Sequence, residues 1–350
     1  MPISSASARL EPRGAALTAG PAAQRAGRSM TNAFSRIIVT GANGFVGPRL
    51  IERLAEAFPQ AELIGIYFGG APMPGGVELD IRDADAVDQA IAQISPDAVV
   101  HLAAISQVQE AQLAPAATFA VNFGGTLNLA VAMRRHVPQA RLLFASSSEV
   151  YGGSFRHASA PLNESAVLDP MNLYASSKAA ADLLIGQMAH EGLSAVRVRP
   201  FNHTGPGQED RFVVPSFVAQ IVNIERGRQE PVLRVGNLDA QRDFLDVRDV
   251  VAAYVLALAS ESLDKGTILN IASGQPRRIG DILETLLGRA KLPIRVVVDP
   301  AQLRPVEIPV AAGDAGRARA LLGWAPQIPF EETLAEMLEA RRAKPDAVSG

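Results

Sequence analysis

From Arg36 onward, short apolar runs alternate with stretches in which apolar positions recur every three or four residues. The runs lie near 36–40, 62–67, 97–103, 140–146 and 195–199, and the amphipathic stretches near 45–57, 84–94, 115–136 and 173–191. A run that is apolar throughout reads as a strand buried on both faces. A period near 3.6 reads as a helix laid against it, so the alternation predicts βαβ units and a parallel sheet. After Pro200 the pattern loosens into a helix at about 212–227, a strand at 232–235, a helix at 247–260 and a strand at 267–271. Helices near 278–289 and 330–342 flank a last strand at 294–298. The expected class is α/β, a doubly wound parallel sheet with a smaller C-terminal α/β cap.

A chain of 350 residues is long enough for two such lobes. Residues 1–35 lack apolar periodicity, are rich in Ala, Ser, Gly, Pro and Arg, and hold one acidic residue, Glu11. They are expected to form a disordered tail, with a true start at Met30 as the simplest account of them. A flexible tail is likewise expected at 344–350. Hydrophobic residues at 48% and charged residues at 20% are ordinary for a folded soluble chain. The net charge of -3 leaves no basic excess for a phosphate backbone, so nucleic acid is not expected as a partner. The absence of cysteine removes disulfides and thiolate chemistry. The five histidines, His101, His136, His157, His190 and His203, show no metal-ligand spacing, and no metal is expected. No apolar run approaches the roughly 20 residues that cross a bilayer, which points to a cytoplasmic protein without a membrane partner.

The first strand leads into Thr40-Gly41-Ala42-Asn43-Gly44-Phe45-Val46-Gly47 and then directly into a helix. Glycines let backbone approach a pyrophosphate, and a helix N-terminus offers it unpaired N–H groups and a positive dipole end. This places a dinucleotide, NADP or NAD, at Gly41, Asn43, Gly44, Phe45, Val46 and Gly47, on a Rossmann-like sheet. An acidic residue at the end of the second strand would bind the 2′-hydroxyl of NAD. The chain reads Ile66-Tyr67-Phe68-Gly69-Gly70 there, so NAD and NADP are not separated. Further on, Asp80, followed by Ile81, is placed to reach the adenine amino group or to cap a helix. On this plan residues 36–200 plus about 238–270 form the NAD(P)-binding domain, and about 201–237 plus 271–343 the substrate-binding cap.

Two further segments carry chemistry: Ser146-Ser147-Ser148-Glu149-Val150-Tyr151-Gly152 at a strand end, and Tyr174-Ala175-Ser176-Ser177-Lys178 at a helix start. Tyr174 and Lys178, four residues apart, share a helix face, where the ammonium is expected to lower the phenol pKa from about 10 towards the working range. A phenol so tuned exchanges a proton with an alkoxide.

With His101-Leu102-Ala103-Ala104 and Val121-Asn122-Phe123-Gly124-Gly125-Thr126, these motifs resemble the extended short-chain dehydrogenase/reductase superfamily. Their order and spacing are those of its nucleotide-sugar-modifying members. The resemblance implies that Ser147 binds the substrate oxygen, Tyr174 is the proton donor or acceptor, Lys178 supports it and also grips the nicotinamide ribose, and Asn122 lies near the nicotinamide pocket. It also implies a cofactor wall at Leu102, Ala103 and Ala104.

The segments 201–208, 210–217, 235–251 and 303–309 most resemble the GDP-4-dehydro-6-deoxy-mannose reductases, which make GDP-rhamnose. That implies hydride transfer from NAD(P)H to a C4 keto group, with Ser106, Ser148, Asn202, Arg211, Val235, Arg242, Arg304 and Glu307 holding a sugar nucleotide. Arginines and amide donors suit its diphosphate. Glu149 keeps a 4,6-dehydratase open, since dehydratases of this type use a carboxylate two residues after the Ser/Thr to take the C5 proton. A redox-neutral 4-epimerase is a third possibility. The family commonly pairs two helices per subunit, and the Ala-rich helices near 115–136 and 173–191 fit a homodimer with a four-helix interface.

Overall fold

The computed structural model describes residues 34–70, 73–302 and 308–345. The chain enters through β1 (Arg36–Thr40), α1 (Gly47–Ala57), β2 (Glu62–Tyr67), β3 (Val77–Glu78), α2 (Ala84–Ile94) and β4 (Ala98–His101). Next come α3 (Val108–Leu113), α4 (Pro115–Phe119), α5 (Thr126–His136), β5 (Arg141–Ala145), α6 (Leu173–His190) and β6 (Ala195–Pro200). The second half holds β7 (Asn202–Thr204), α7 (Val213–Glu225), β8 (Val232–Val235), β9 (Gln241–Asp246), α8 (Val247–Ala259) and β10 (Thr267–Ile271). It ends with β11 (Pro276–Arg278), α9 (Ile279–Leu287), β12 (Arg295–Val298), β13 (Val310–Ala311), α10 (Gly316–Leu322) and α11 (Phe330–Ala343).

Seven strands form one sheet in the order β10-β6-β5-β4-β1-β2-β3, with every pairing parallel. The order reverses beside β1, where open α/β sheets place their ligands. Ile37, Ile38, Val39, Ala98, Val99 and Val100 are fully buried because helices cover both faces, which is why their runs are apolar rather than alternating. One core joins α1 and α8 to the sheet, and another joins α2, α5 and α6 to its other face. A third core lies among α7, α9 and α11, beside a four-stranded sheet built on β9 and the pair β12–β8.

Four expectations change. Phe34 and Ser35 belong to the fold rather than to a tail: Phe34 packs edge-on against Phe58 at 5.2 Å, and the Ser35 amide donates to Asp97 at 2.7 Å. Lys344 likewise ends α11, its amide donating to the Ala340 carbonyl at 3.2 Å. The rest of the expected tails, residues 1–33 and 346–350, lies outside the described residues. The stretch 115–136 is not one regular helix, because a π-helical turn at Ala120–Gly125 widens its middle. By length and composition Pro115–His136 is apolar enough to span a bilayer, at 22 residues and mean hydropathy 1.3, so the expectation of no such run does not hold. Leu129, Ala130, Ala132 and Met133 spend that apolarity in the core.

Candidate active site

The C-terminal ends of the parallel strands open into a cleft of about 1720 Å³ that extends between the sheet and the loops of the second half. Gly41, Asn43, Gly44, Phe45, Val46 and Gly47 line one end of it. Gly41 has φ +69, and a Cβ there would stand 2.8 Å from the Ala103 amide nitrogen; a Cβ on Gly47 would run into the Ala42 carbonyl. Only glycine lets these backbones close up. Val46, which precedes α1, offers no side-chain cap, and Pro48 carries no N–H, so the Gly47 and Arg49 amides have no acceptor among the described residues. A concave glycine backbone ending in uncapped N–H groups fits the diphosphate of a dinucleotide. Asp80, Ile81, Leu102, Ala103 and Ala104 line the same region. Asp80 does not cap a helix: Asp83 caps α2, accepting from the Ala86 amide at 3.0 Å, while Asp80 grips Arg82 at 2.6 Å.

Beneath this wall runs a buried hydrogen-bonded chain. The Thr126 hydroxyl donates to the Asn122 carbonyl at 2.7 Å, so it accepts from His101 Nε2 at 2.9 Å. Nδ1 of His101 then accepts from the Thr40 hydroxyl at 2.7 Å, and that hydroxyl accepts the Ala103 amide at 3.2 Å. Burial, with Lys178 nearby, pushes the imidazole down to about 3, which keeps it neutral. Asn122 is fully buried and does not reach the cleft. Its side chain brackets Ile105, accepting from the amide at 2.8 Å and donating to the carbonyl at 3.0 Å, and donates to Ser177 at 2.9 Å. Ser177 in turn donates to the Tyr174 carbonyl at 2.7 Å. The widened turn at Ala120–Gly125 is what aims Asn122 at both partners.

Ser147, Ser148, Glu149, Tyr174 and Lys178 all line the cleft. Ser147 follows the strand end, its hydroxyl accepting from the Glu149 amide at 3.2 Å, and it lies near enough to the Tyr174 hydroxyl to oppose the rise in its pKa. Asn172 caps α6, accepting from the Ala175 amide at 2.8 Å, and its Nδ2 donates to the Glu149 carboxylate at 3.1 Å. One residue therefore sets both the start of the Tyr174 helix and the direction of Glu149. Below them Arg199 forks onto Asp182 at 2.9 Å through two nitrogens, which pins α6 to β6.

The electrostatics differ from the expectation drawn from spacing. Burial pushes the Tyr174 phenol up to about 12, the Glu149 charge adding to the rise and Ser147 opposing it. Burial also lowers the Lys178 ammonium to about 8, against the opposing pull of Asp182. Lys178 sits 4.6 Å above the Phe144 ring and acts on His101 rather than on the phenol. Tyr174 is thus a neutral donor in this state.

Ser106, in the loop after β4, and Asn202, Arg211 and Arg242, from the second half of the chain, also line the cleft. Arg242 Nη1 donates to the Gln241 and Ile308 carbonyls, both at 2.8 Å. Arg211 pairs with Glu110 at 3.1 Å and with Glu209. Val235 is placed elsewhere: fully buried on β8 in the third core, it leaves the cleft wall to Gly236 and Asn237. Arg304 and Glu307 lie outside the described residues. The sequence reading passed over His203 as a site residue. Its Nδ1 donates to the Phe201 carbonyl at 3.0 Å, and its ring stacks on Phe45 of the glycine loop at 6.3 Å and 9°. Its position directly after Asn202 was the available signal.

A nicotinamide-binding sheet joined to a tyrosine–lysine helix is the scaffold of the epimerase/dehydratase superfamily. Within it, residues 75–337 match the family described as GDP-mannose 4,6 dehydratase, and the chain belongs to that family. It is 37% identical over 304 residues to the GDP-6-deoxy-D-mannose reductase of Pseudomonas aeruginosa, covering 87% of this chain and 96% of that protein. It is 32% identical to a UDP-glucose 4-epimerase of Streptomyces lividans, over 83% of this chain and 91% of that one. A solved structure described as RMD from Pseudomonas aeruginosa complexed with NADPH superposes with a TM-score of 0.78 at 36% identity, covering 88% of this chain and 99% of that one.

Proposed function

We propose that this chain is an NAD(P)H-dependent reductase acting on the C4 keto group of GDP-4-keto-6-deoxy-mannose, giving GDP-rhamnose or its C4 epimer. One observation carries the reading: the neutral Tyr174 phenol and Ser147 line the same cleft as the glycine loop. The likeness to the Pseudomonas reductase over 96% of its length supports it.

When bound, the reduced nicotinamide supplies the hydride. Gly41, Asn43, Gly44, Phe45, Val46 and Gly47 hold the dinucleotide diphosphate, and Asp80, Ile81, Leu102, Ala103 and Ala104 wall in its adenosine half. Ser147 and Tyr174 both hydrogen-bond the keto oxygen, which fixes the face the carbonyl presents. As charge develops on that oxygen, Tyr174 gives up its proton to it, while the Lys178 ammonium, four residues on along the same helix, grips the nicotinamide ribose. Asn122 acts through Ser177 and Ile105, setting the helix on which Tyr174 stands. Ser106, Ser148, Asn202, Arg211, Arg242, Arg304 and Glu307 receive the sugar nucleotide, with the arginines on its diphosphate.

A second reading, a GDP-mannose-type 4,6-dehydratase, is favoured by Glu149, whose carboxylate lines the cleft close enough to Tyr174 to raise its pKa. Incubation with GDP-4-keto-6-deoxy-mannose and each reduced dinucleotide separates the two. The reductase consumes one nicotinamide per sugar and yields a 6-deoxyhexose. Inertness there, with conversion of GDP-mannose in the absence of added reductant, establishes the dehydratase instead.

The division into a dinucleotide domain at 36–200 plus about 238–270 and a substrate cap at about 201–237 plus 271–343 follows from this assignment of ligands. We place the enzyme in the cytoplasm, where sugar nucleotides are made and nicotinamides are kept reduced. A homodimer through α5 and α6 is supported by Val131 and Leu183, apolar residues 42% and 61% exposed on those helices. Light scattering that returns a monomer at micromolar concentration removes it.

A further inference from the structure

The adenosine end of the cleft carries a charge arrangement that the steps above leave unused. Where a carboxylate would stand after β2, the chain runs Phe68-Gly69-Gly70, with φ of 65° and 72° at the glycines and no side chain in that place. Asn43 ties this turn to the glycine loop, its Nδ2 donating to the Gly69 carbonyl at 2.9 Å. Facing the turn is Arg82, whose guanidinium carbon lies 5.4 Å from the Phe68 ring centre. Nε and Nη2 of Arg82 are taken by the Asp80 carboxylate at 2.9 and 2.6 Å, while Nη1 makes no hydrogen bond among the described residues. Asn128 of α5 anchors the backbone of this turn, donating to the Ile81 and Arg82 carbonyls at 3.0 and 3.1 Å. Phe68, Asp80 and Arg82 all line the cleft. Besides Asp80 a second negative group stands nearby: Glu78, exposed at the end of β3, accepts from the Gly69 amide at 3.4 Å.

We propose that Arg82 selects NADPH over NADH, its unused guanidinium edge taking the 2′-phosphate while Asp80 holds the other edge in place. The assignment rests on the dinucleotide-binding reading above. A bare ribose diol is selected by a carboxylate acceptor, and at the end of β2 this chain supplies two glycines instead. A phosphate dianion needs room and paired N–H donors; the glycine turn leaves the room, and an oriented guanidinium fork matches phosphate oxygens better than a mobile ammonium would. Glu78 limits the gain, because its charge repels the same phosphate.

The test measures dissociation constants of the full chain for NADPH and for NADH, by calorimetry at fixed ionic strength, with no turnover involved. The unaltered chain binds NADPH at least about tenfold more tightly than NADH, as one added charge-assisted contact implies. Arg82→Ala weakens NADPH about tenfold and leaves NADH within about twofold. Glu78→Gln moves NADPH the opposite way, tightening it about two- to threefold. Equal affinity of the unaltered chain for both dinucleotides overturns the proposal. So does an Arg82→Ala change that weakens both alike, which would put Arg82 on the adenine side. Binding of neither dinucleotide overturns it together with the reading on which it rests.

Discussion

The two walls of the cleft are held by different means. On the sheet side the polar groups are buried and already committed: His101 between Thr40 and Thr126, Asn122 between Ile105 and Ser177, Arg199 on Asp182. On the opposite side Asn202 is exposed, and Arg211 pairs with Glu110 while both side chains remain about two-fifths exposed, at 40% and 44%. Buried, fully partnered groups keep one geometry whether or not a ligand is present, whereas exposed pairs exchange partners at little cost. The wall that performs chemistry is therefore built in advance. The wall that recognises the sugar nucleotide is left free to rearrange around it.

Removing the reacting oxygen from the rigid wall is the severest way to test this contrast. Tyr174→Phe takes away the proton donor and keeps the ring, so turnover is expected to fall at least about a hundredfold, the lower end for a general acid. Dinucleotide affinity stays within about twofold, because Gly41, Asn43 and Gly47 are untouched. Steady-state kinetics and a binding titration read the two quantities separately. Unchanged turnover would remove the phenol from the reaction.

A pH profile probes the same wall more gently. Burial lowers Lys178 to about 8, so the ammonium is charged below that pH and lost above it, while Tyr174, pushed up to about 12, keeps its proton throughout. Any alkaline loss between about pH 7 and 10 then belongs to Lys178, and kcat/KM is expected to fall towards about tenfold per pH unit beyond 8. Lys178→Met should flatten that limb at a lower rate. A profile that stays level to about pH 10 would show that the ammonium charge is not used.

The same contrast explains what was legible in the sequence. The parallel strands were readable because burial on both faces makes each run apolar, and the glycine loop, the serine-rich strand end and Tyr174–Lys178 were readable because each lies within one short segment. β9 escaped because Gln241, Arg242 and Asp243 open it. Asp243 is buried there only because the Ser273 and Gly274 amides, at 2.8 and 2.9 Å, satisfy its carboxylate. The π-helical turn at Asn122 escaped for a related reason, since its partners Ile105 and Ser177 are 17 and 55 residues away. The direction of the Tyr174 shift was misjudged because spacing on a helix reports neighbours but not desolvation. Val235 was misplaced because its neighbours in the chain, Gly236 and Asn237, reach the cleft while its own side chain turns into the third core.

The mildest change bears on the adaptable wall. Arg211→Ala removes the pairs with Glu110 and Glu209, and pairs so exposed contribute about 0–1 kcal/mol, so the melting temperature should move by no more than a few degrees. If Arg211 leaves Glu110 for the substrate diphosphate, it binds ground state and transition state alike, because that group lies away from the reacting carbon. KM is then expected to rise about three- to tenfold at unchanged kcat, and the difference from the unaltered chain to shrink as salt screens the diphosphate. Glu110→Gln should act in the opposite sense, lowering KM by freeing the guanidinium in advance. An unchanged KM in Arg211→Ala would reduce Arg211 to a strap between its loop and α3, while a fall in kcat would mean that the recognition wall is coupled to the chemistry and that the two sides of the cleft are less independent than their burial indicates.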